Sequence, residues 1–311
     1  VRSGQWFEGT PKPVLQLRKY LSSSLDNPQF DPPLNSEPQP PLPLATGPFP
    51  PPELLPPALS PIPPAPEPIE NPVWSGWDVL ALIGVAFLSI VAAMIGVSAA
   101  AHRYLYPKVP WRVVVTYPAL SVVAQIVAYM IVLGFMYLVV KRGHAASFGQ
   151  AIRWNWPRNW TLYLFGGLAL ALAVQLLERL LPVPKSLPID EFFRTPREAW
   201  LLSAFGITLA PLLEELFFRG FLYPVLVRRL GIVAGVLLTA AGFALIHAQQ
   251  LLYSWGPVLG IFLVGLALTL VRAAKKSVAG SLLVHMAYNA ALFIFMFAAT
   301  DGFRHLEKLN Q

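Results

Sequence analysis

The run PLLEELFFRG, residues 211–220, sets Glu214, Glu215 and Arg219 in an otherwise apolar stretch. Two other apolar stretches hold imidazoles: FALIH, which ends at His247, and HMAYN, which runs from His285 to Asn289. A carboxylate, two imidazoles and a carboxamide are groups that general acid–base chemistry can use. Such groups inside a membrane segment also build proton relays in carriers. An acid–arginine pair can equally be architectural.

Spacing sorts these groups. Glu215 and Arg219 are four apart with the acid first, so on a helix they share a face and can form an ion pair. Glu214 lies about 100° around from Glu215, which aims it elsewhere and leaves it as the unpaired carboxylate. His285 and Asn289, also four apart, project from one face of their helix. Phe243 precedes His247 by four, so phenyl and imidazole can stack.

The elements that must position these groups are membrane spans. Of the 311 residues 55% are hydrophobic and 13% charged, against about 25% charged in ordinary soluble domains. Mean hydropathy is +0.55. Cysteine is absent, which removes disulfides, thiolate nucleophiles and cysteine metal sites. Only Arg2, Lys12, Arg18 and Lys19 precede Arg103 among the basic residues, and most of the others sit in short connections between apolar runs. That is membrane-flanking charge, and it gives no warrant for a nucleic-acid partner.

Residues 1–76 carry most of the 32 prolines. They read as a disordered or polyproline II tail, a spacer or a ligand for a proline-recognising domain. No signal-peptide pattern is visible. The remainder reads as an all-α, polytopic helix bundle of about seven to eight spans over residues 77–300, with a short C-terminal tail at 301–311. Seven apolar segments are expected at 79–101, 113–140, 160–181, 199–223, 232–249, 256–271 and 279–299, each near the roughly 20 residues that cross a bilayer. KRGHAASFGQAIRWNWPRNW reads as an interfacial connection with its tryptophans at headgroup depth.

Away from segment ends, the ionisable groups inside these spans are Glu214, Glu215, Arg219, His247 and His285, and Asn289 is the one spanning asparagine. Such groups cost about 2.5–3.5 kcal/mol at mid-bilayer and usually face a functional interior. Depth is a check on their meeting. With His285 about six residues and His247 about fifteen residues into segments that run the same way, level helices would separate them by roughly 14 Å. A single site therefore requires tilted helices or shifted boundaries.

With the residues in place, a family resemblance emerges. EELFFR (Glu214–Arg219) resembles the EExxxR motif, FALIH (Phe243–His247) the FxxxH motif and HMAYN (His285–Asn289) the HxxxN motif of the CAAX-protease and bacteriocin-processing intramembrane proteases. These are also called the Abi family and include the type II CAAX prenyl endopeptidases. The three motifs stand in the family's order, and the resemblance covers about residues 140–300.

The resemblance implies an integral membrane endopeptidase that cuts a peptide or protein substrate, lipidated in some members, near its C-terminus or its membrane-proximal part. By motif, Glu214 would activate water and His247 would help to hold it. His285 and Asn289 would stabilise the oxyanion. Glu215 and Arg219 would orient the helix or contact a substrate carboxylate, with Phe243 beside them. Glu214, His247 and His285 also form a two-histidine, one-glutamate set of the kind that holds catalytic zinc, and the family carries a metalloprotease label. Against zinc, HxxxN supplies one good ligand where HExxH supplies two, so a metal-free mechanism is preferred and zinc is the alternative. A proton-coupled transporter is a further reading, although no internal repeat is visible. A non-catalytic scaffold or immunity protein is another.

Overall fold

The computed structural model describes residues 70–144, 147–182, 184 and 193–307. The proline-rich tail before residue 70, and the part of the 182–200 connection at 183 and 185–192, lie outside the described residues. Among the described residues the fold is all-helical. The main helices are α1 (Gly76–Tyr104), α2 (Pro118–Arg142), α3 (Trp160–Glu178), α4 (Pro196–Ile207), α5 (Leu209–Glu215), α6 (Tyr223–His247), α7 (Trp255–Lys275) and α8 (Val278–Ala299). A π-helical segment, Leu216–Leu222, joins α5 to α6.

Local chemistry sets the ends of these elements. Ser75 and Asp78 form a reciprocal capping box at the start of α1, which satisfies otherwise orphaned backbone donors. Asp78 also binds Arg142 at the end of α2 and ties the first hairpin together. Thr195 caps α4 and Ser277 caps α8 through their side-chain oxygens. The connection before α3 docks on the α7–α8 turn, where Asn155 Nδ2 donates to the Lys276 carbonyl at 2.9 Å and Ser277 Oγ donates to the Asn155 carbonyl.

Among the described residues, six helical runs are long and apolar enough to cross a membrane, and one of them, Pro196–Leu251, has 56 residues. As straight helix it would extend about 84 Å, far beyond a hydrocarbon core of about 30 Å. Gly231 reverses it, with φ of 82° and ψ of 170°, in the left-handed half of the map where glycine carries no steric penalty. After the reversal Gly235 packs against Val227, so this run forms a helical hairpin and accounts for both the fourth and the fifth expected segments. The other five helices match the remaining segments within a few residues, apart from the second, which begins at Pro118 after a separate single turn at Trp111–Val114.

The fourth segment is not the single helix expected. Pro211 has no N–H for the Ile207 carbonyl one turn earlier, and the chain breaks at Thr208, with φ of −114° and ψ of −77°. The break and the π-helical segment bracket α5, the short helix that carries both glutamates.

Packing follows membrane rules. Ala93 of α1 meets Ala124 and Ala128 of α2, small residues that let helices approach closely without a hydrophobic driving force. α3 packs on α8 through Ala171, Val174, Val284, Tyr288 and Ala291. Large side chains such as Phe87, Leu88, Phe165 and Val233 stay exposed on the outside, as lipid contact demands. The chain is an integral, multi-pass membrane protein. The short C-terminal tail does not simply trail away: Phe303 is buried against Trp200 and Phe297.

Candidate active site

α5, the π-helical segment, α6, α7 and α8 bring their polar residues to one place. Glu214 lies between two imidazoles: His285 Nε2 is 3.6 Å from one of its oxygens and His247 Nε2 is 3.9 Å from the other. Glu214 and His247 keep about a fifth of their side-chain surface open, whereas His285 is buried. The open edge of the site is therefore on the Glu214–His247 side.

Each ring is held from behind. His285 Nδ1 meets Glu215 Oε1 at 2.9 Å, and His247 Nδ1 meets the Phe243 carbonyl at 2.8 Å. A backbone carbonyl and a carboxylate only accept, so these partners assign the hydrogen to Nδ1 in both rings. Both Nε2 atoms are thereby directed at Glu214. A neutral ring accepts there, and a doubly protonated one donates.

Glu215 and Arg219 are fully buried and form the expected i, i+4 pair at 2.8 Å. Arg219 makes two further hydrogen bonds, from Nε to Thr269 Oγ1 at 3.2 Å and from Nη2 to the Gly265 carbonyl at 2.8 Å. Its guanidinium also stacks 4.7 Å from the Phe243 ring centre. A buried ion pair needs such additional bonds to offset desolvation. Gly265 makes them reachable, because a Cβ at that position would fall 3.1 Å from the Phe243 ring and 3.2 Å from the Ala240 carbonyl. Phe243 fills the space beneath the site, with ring centres 4.8 Å from His247 and 5.6 Å from His285.

Sequence reasoning therefore finds Glu214, His247 and His285 together, and Glu215 paired with Arg219. Three particulars differ. Glu215 is more than Arg219's partner, since it also holds His285. The roughly 14 Å depth mismatch is overturned, because both rings reach one carboxylate, so the premise of level, upright helices fails. Asn289 does not face Glu214 in a direct bond. Its Nδ2 donates to the Gly206 carbonyl at 2.7 Å, next to the break between α4 and α5, which leaves the second amide hydrogen uncommitted by that bond.

Thr269 and Gly265 were not foreseen, and a lone threonine or glycine in an apolar helix gives no sequence signal. Tyr129 of α2 was missed as well. Its phenol lies within electrostatic range of Glu214, and its ring stacks on Phe205.

For a metal, the chemistry of the donors is suitable: two Nε2 atoms whose Nδ1 hydrogens are engaged, and a carboxylate. Their placement is not. Among the described residues no group of three His, Asp or Glu side chains is arranged to hold one metal ion.

A family model described as Rce1-like, type II CAAX prenyl endopeptidase Rce1-like, matches residues 196–291. No curated protein and no solved structure matches the chain. The matched stretch begins at the first residue of α4 and ends two residues beyond Asn289, so it contains both glutamates, Arg219, both imidazoles and the carboxamide. Over residues 196–291, the chain is similar to the Rce1-like family of type II CAAX prenyl endopeptidases.

Proposed function

We propose that the chain is an intramembrane endopeptidase that hydrolyses a peptide bond near the C-terminus, or in the membrane-proximal part, of a substrate, with Glu214 activating water and no metal taking part. The observation that carries this reading is the placement of Glu214 between two imidazole Nε2 atoms, each ring fixed through its Nδ1.

In this mechanism a water sits on the open side between Glu214 and His247. Neutral His247 accepts a hydrogen bond from it at Nε2, and Glu214 takes its proton as the oxygen attacks the scissile carbonyl carbon. The carbonyl π electrons move onto oxygen. Doubly protonated His285 donates to that oxyanion from Nε2 while Glu215 holds its Nδ1–H, and the second amide hydrogen of Asn289 donates beside it. Glu214 then passes its proton to the departing amine nitrogen as the C–N bond breaks. One preorganised oxyanion donor contributes about 2.7–4 kcal/mol, and a positioned general base about 10²–10⁴ in rate. Glu215 and Arg219 hold His285 and the helix in place. The family match and the arrangement of donors around one carboxylate support this reading. A lipidated C-terminal peptide is the substrate class that the family description suggests.

Comparative proteomics of membranes from cells expressing wild type or Glu214→Ala tests it. Proteins with uncut C-terminal extensions should accumulate in the variant. Identical C-termini in both membranes would overturn the reading.

A further inference from the structure

We propose that Trp74 and Glu70, which lie outside all three motifs, are positioning residues for this site, and that the strap they anchor fixes the π-helical segment carrying Arg219. The inference rests on the catalytic reading above.

The strap, residues 70–75, is held at both ends. Trp74 is buried. Its Nε1 donates to the Phe221 carbonyl at 3.0 Å, and its ring stacks on Phe221 with centres 4.3 Å apart and planes 18° apart. Glu70 is also buried. Arg272 reaches its two oxygens at 2.9 and 3.4 Å, and Arg153 Nε lies 3.3 Å away. Between these anchors, Arg228 donates to the carbonyls of Pro72 at 2.8 Å and Trp74 at 2.9 Å.

These anchors sit one turn from the groups that hold Arg219. Tyr223 follows Arg219 by four residues, Arg272 follows Thr269 by three, and the Arg272 guanidinium lies 5.2 Å from the Tyr223 ring centre. Phe221 belongs to the π-helical segment itself. A side chain that donates into a helical ladder is one of the recognised causes of a departure from α geometry, and π segments concentrate at functional sites. Trp74 therefore acts on the stretch that sets where Arg219 points. Arg219 holds Glu215, and Glu215 holds His285. Because the strap's hydrogen bonds, ion pairs and ring contacts go to Phe221, Arg228, Arg153 and Arg272 and not to the catalytic groups, loosening it should lower kcat and leave KM unchanged.

The test uses the full chain in bilayer nanodiscs, with Trp74→Phe, Glu70→Gln and, alongside them, Glu214→Gln. Phenylalanine keeps the stack on Phe221 and removes the donor. The expected result is a fall in kcat of about tenfold at unchanged KM, with faster amide hydrogen exchange across residues 216–222. Glu70→Gln should show the same pattern more weakly, and it serves if Trp74→Phe fails to fold. Wild-type kcat, or a loss carried by KM alone, in a folded variant overturns the proposal. If Glu214→Gln retains activity, the catalytic reading fails instead. The strap is then judged by exchange alone: faster exchange in Trp74→Phe upholds its hold on the π-helical segment, and unchanged exchange overturns it.

Discussion

Replacing Arg219 by leucine removes three hydrogen bonds, to Glu215, Thr269 and Gly265, and leaves a fully buried carboxylate facing only His285 and the Ser281 hydroxyl as donors among the described residues. Breaking a buried pair from one side costs about 3–5 kcal/mol, and Glu215→Leu, which strands the guanidinium, should cost a similar amount. The double variant Glu215→Leu/Arg219→Leu removes both members of the pair, so neither Glu215 nor Arg219 is left stranded. Thr269 already donates to the Gly265 carbonyl at 2.7 Å, so the group left without its partner is His285 Nδ1–H, at about 1–3 kcal/mol. The double variant should then be more stable than either single variant, with a coupling of about 3 kcal/mol or more. Its activity should stay low, because His285 has lost its anchor. Reversible unfolding in mixed micelles, with peptide cleavage measured on the same samples, reads both quantities. Additive destabilisation would refute the pairing, and a stable double variant with wild-type cleavage would refute the role of Glu215 behind His285.

Asn289→Ala should leave the Gly206 carbonyl unpaired and remove an oxyanion donor, lowering kcat by about a hundredfold or more in peptide-cleavage kinetics. Gly265→Ala should push α7 away from Phe243 and cost about 1–3 kcal/mol, seen as a lowered unfolding midpoint, with cleavage falling as the Arg219 carbonyl contact lengthens. On the metal-free mechanism, cleavage by protein stripped with a strong chelator should match that of untreated protein, and elemental analysis should find less than stoichiometric zinc. Activity that disappears on stripping and returns with zinc would replace Glu214 as sole activator of water.

What the sequence made legible was local. The i, i+4 relation of Glu215 and Arg219, the divergence of Glu214 and the shared face of His285 and Asn289 depend only on helical geometry within one segment, and the fold class followed from segment length and apolarity. Relations between helices were less readable. That Thr269 and the Gly265 carbonyl would meet Arg219 depends on how closely α7 can approach α6, which a single glycine decides. The break at Thr208 had a signal in Pro211. The π-helical segment had none, because LFFRGFL is as suitable for an ordinary α-helix. Trp74 was unreadable for another reason: its partner Phe221 is 147 residues away, and the strap lies next to a proline-rich stretch whose composition reads as a spacer or a ligand for a partner domain.

The central claim is that Glu214 is the group that activates water. Its most direct test is the turnover of purified Glu214→Gln on a prenylated CAAX peptide in nanodiscs, beside wild type and with unfolding midpoints matched. Glutamine keeps the shape of the side chain and cannot take the proton. The account predicts a loss of at least about a hundredfold in kcat, and turnover within about twofold of wild type would contradict it.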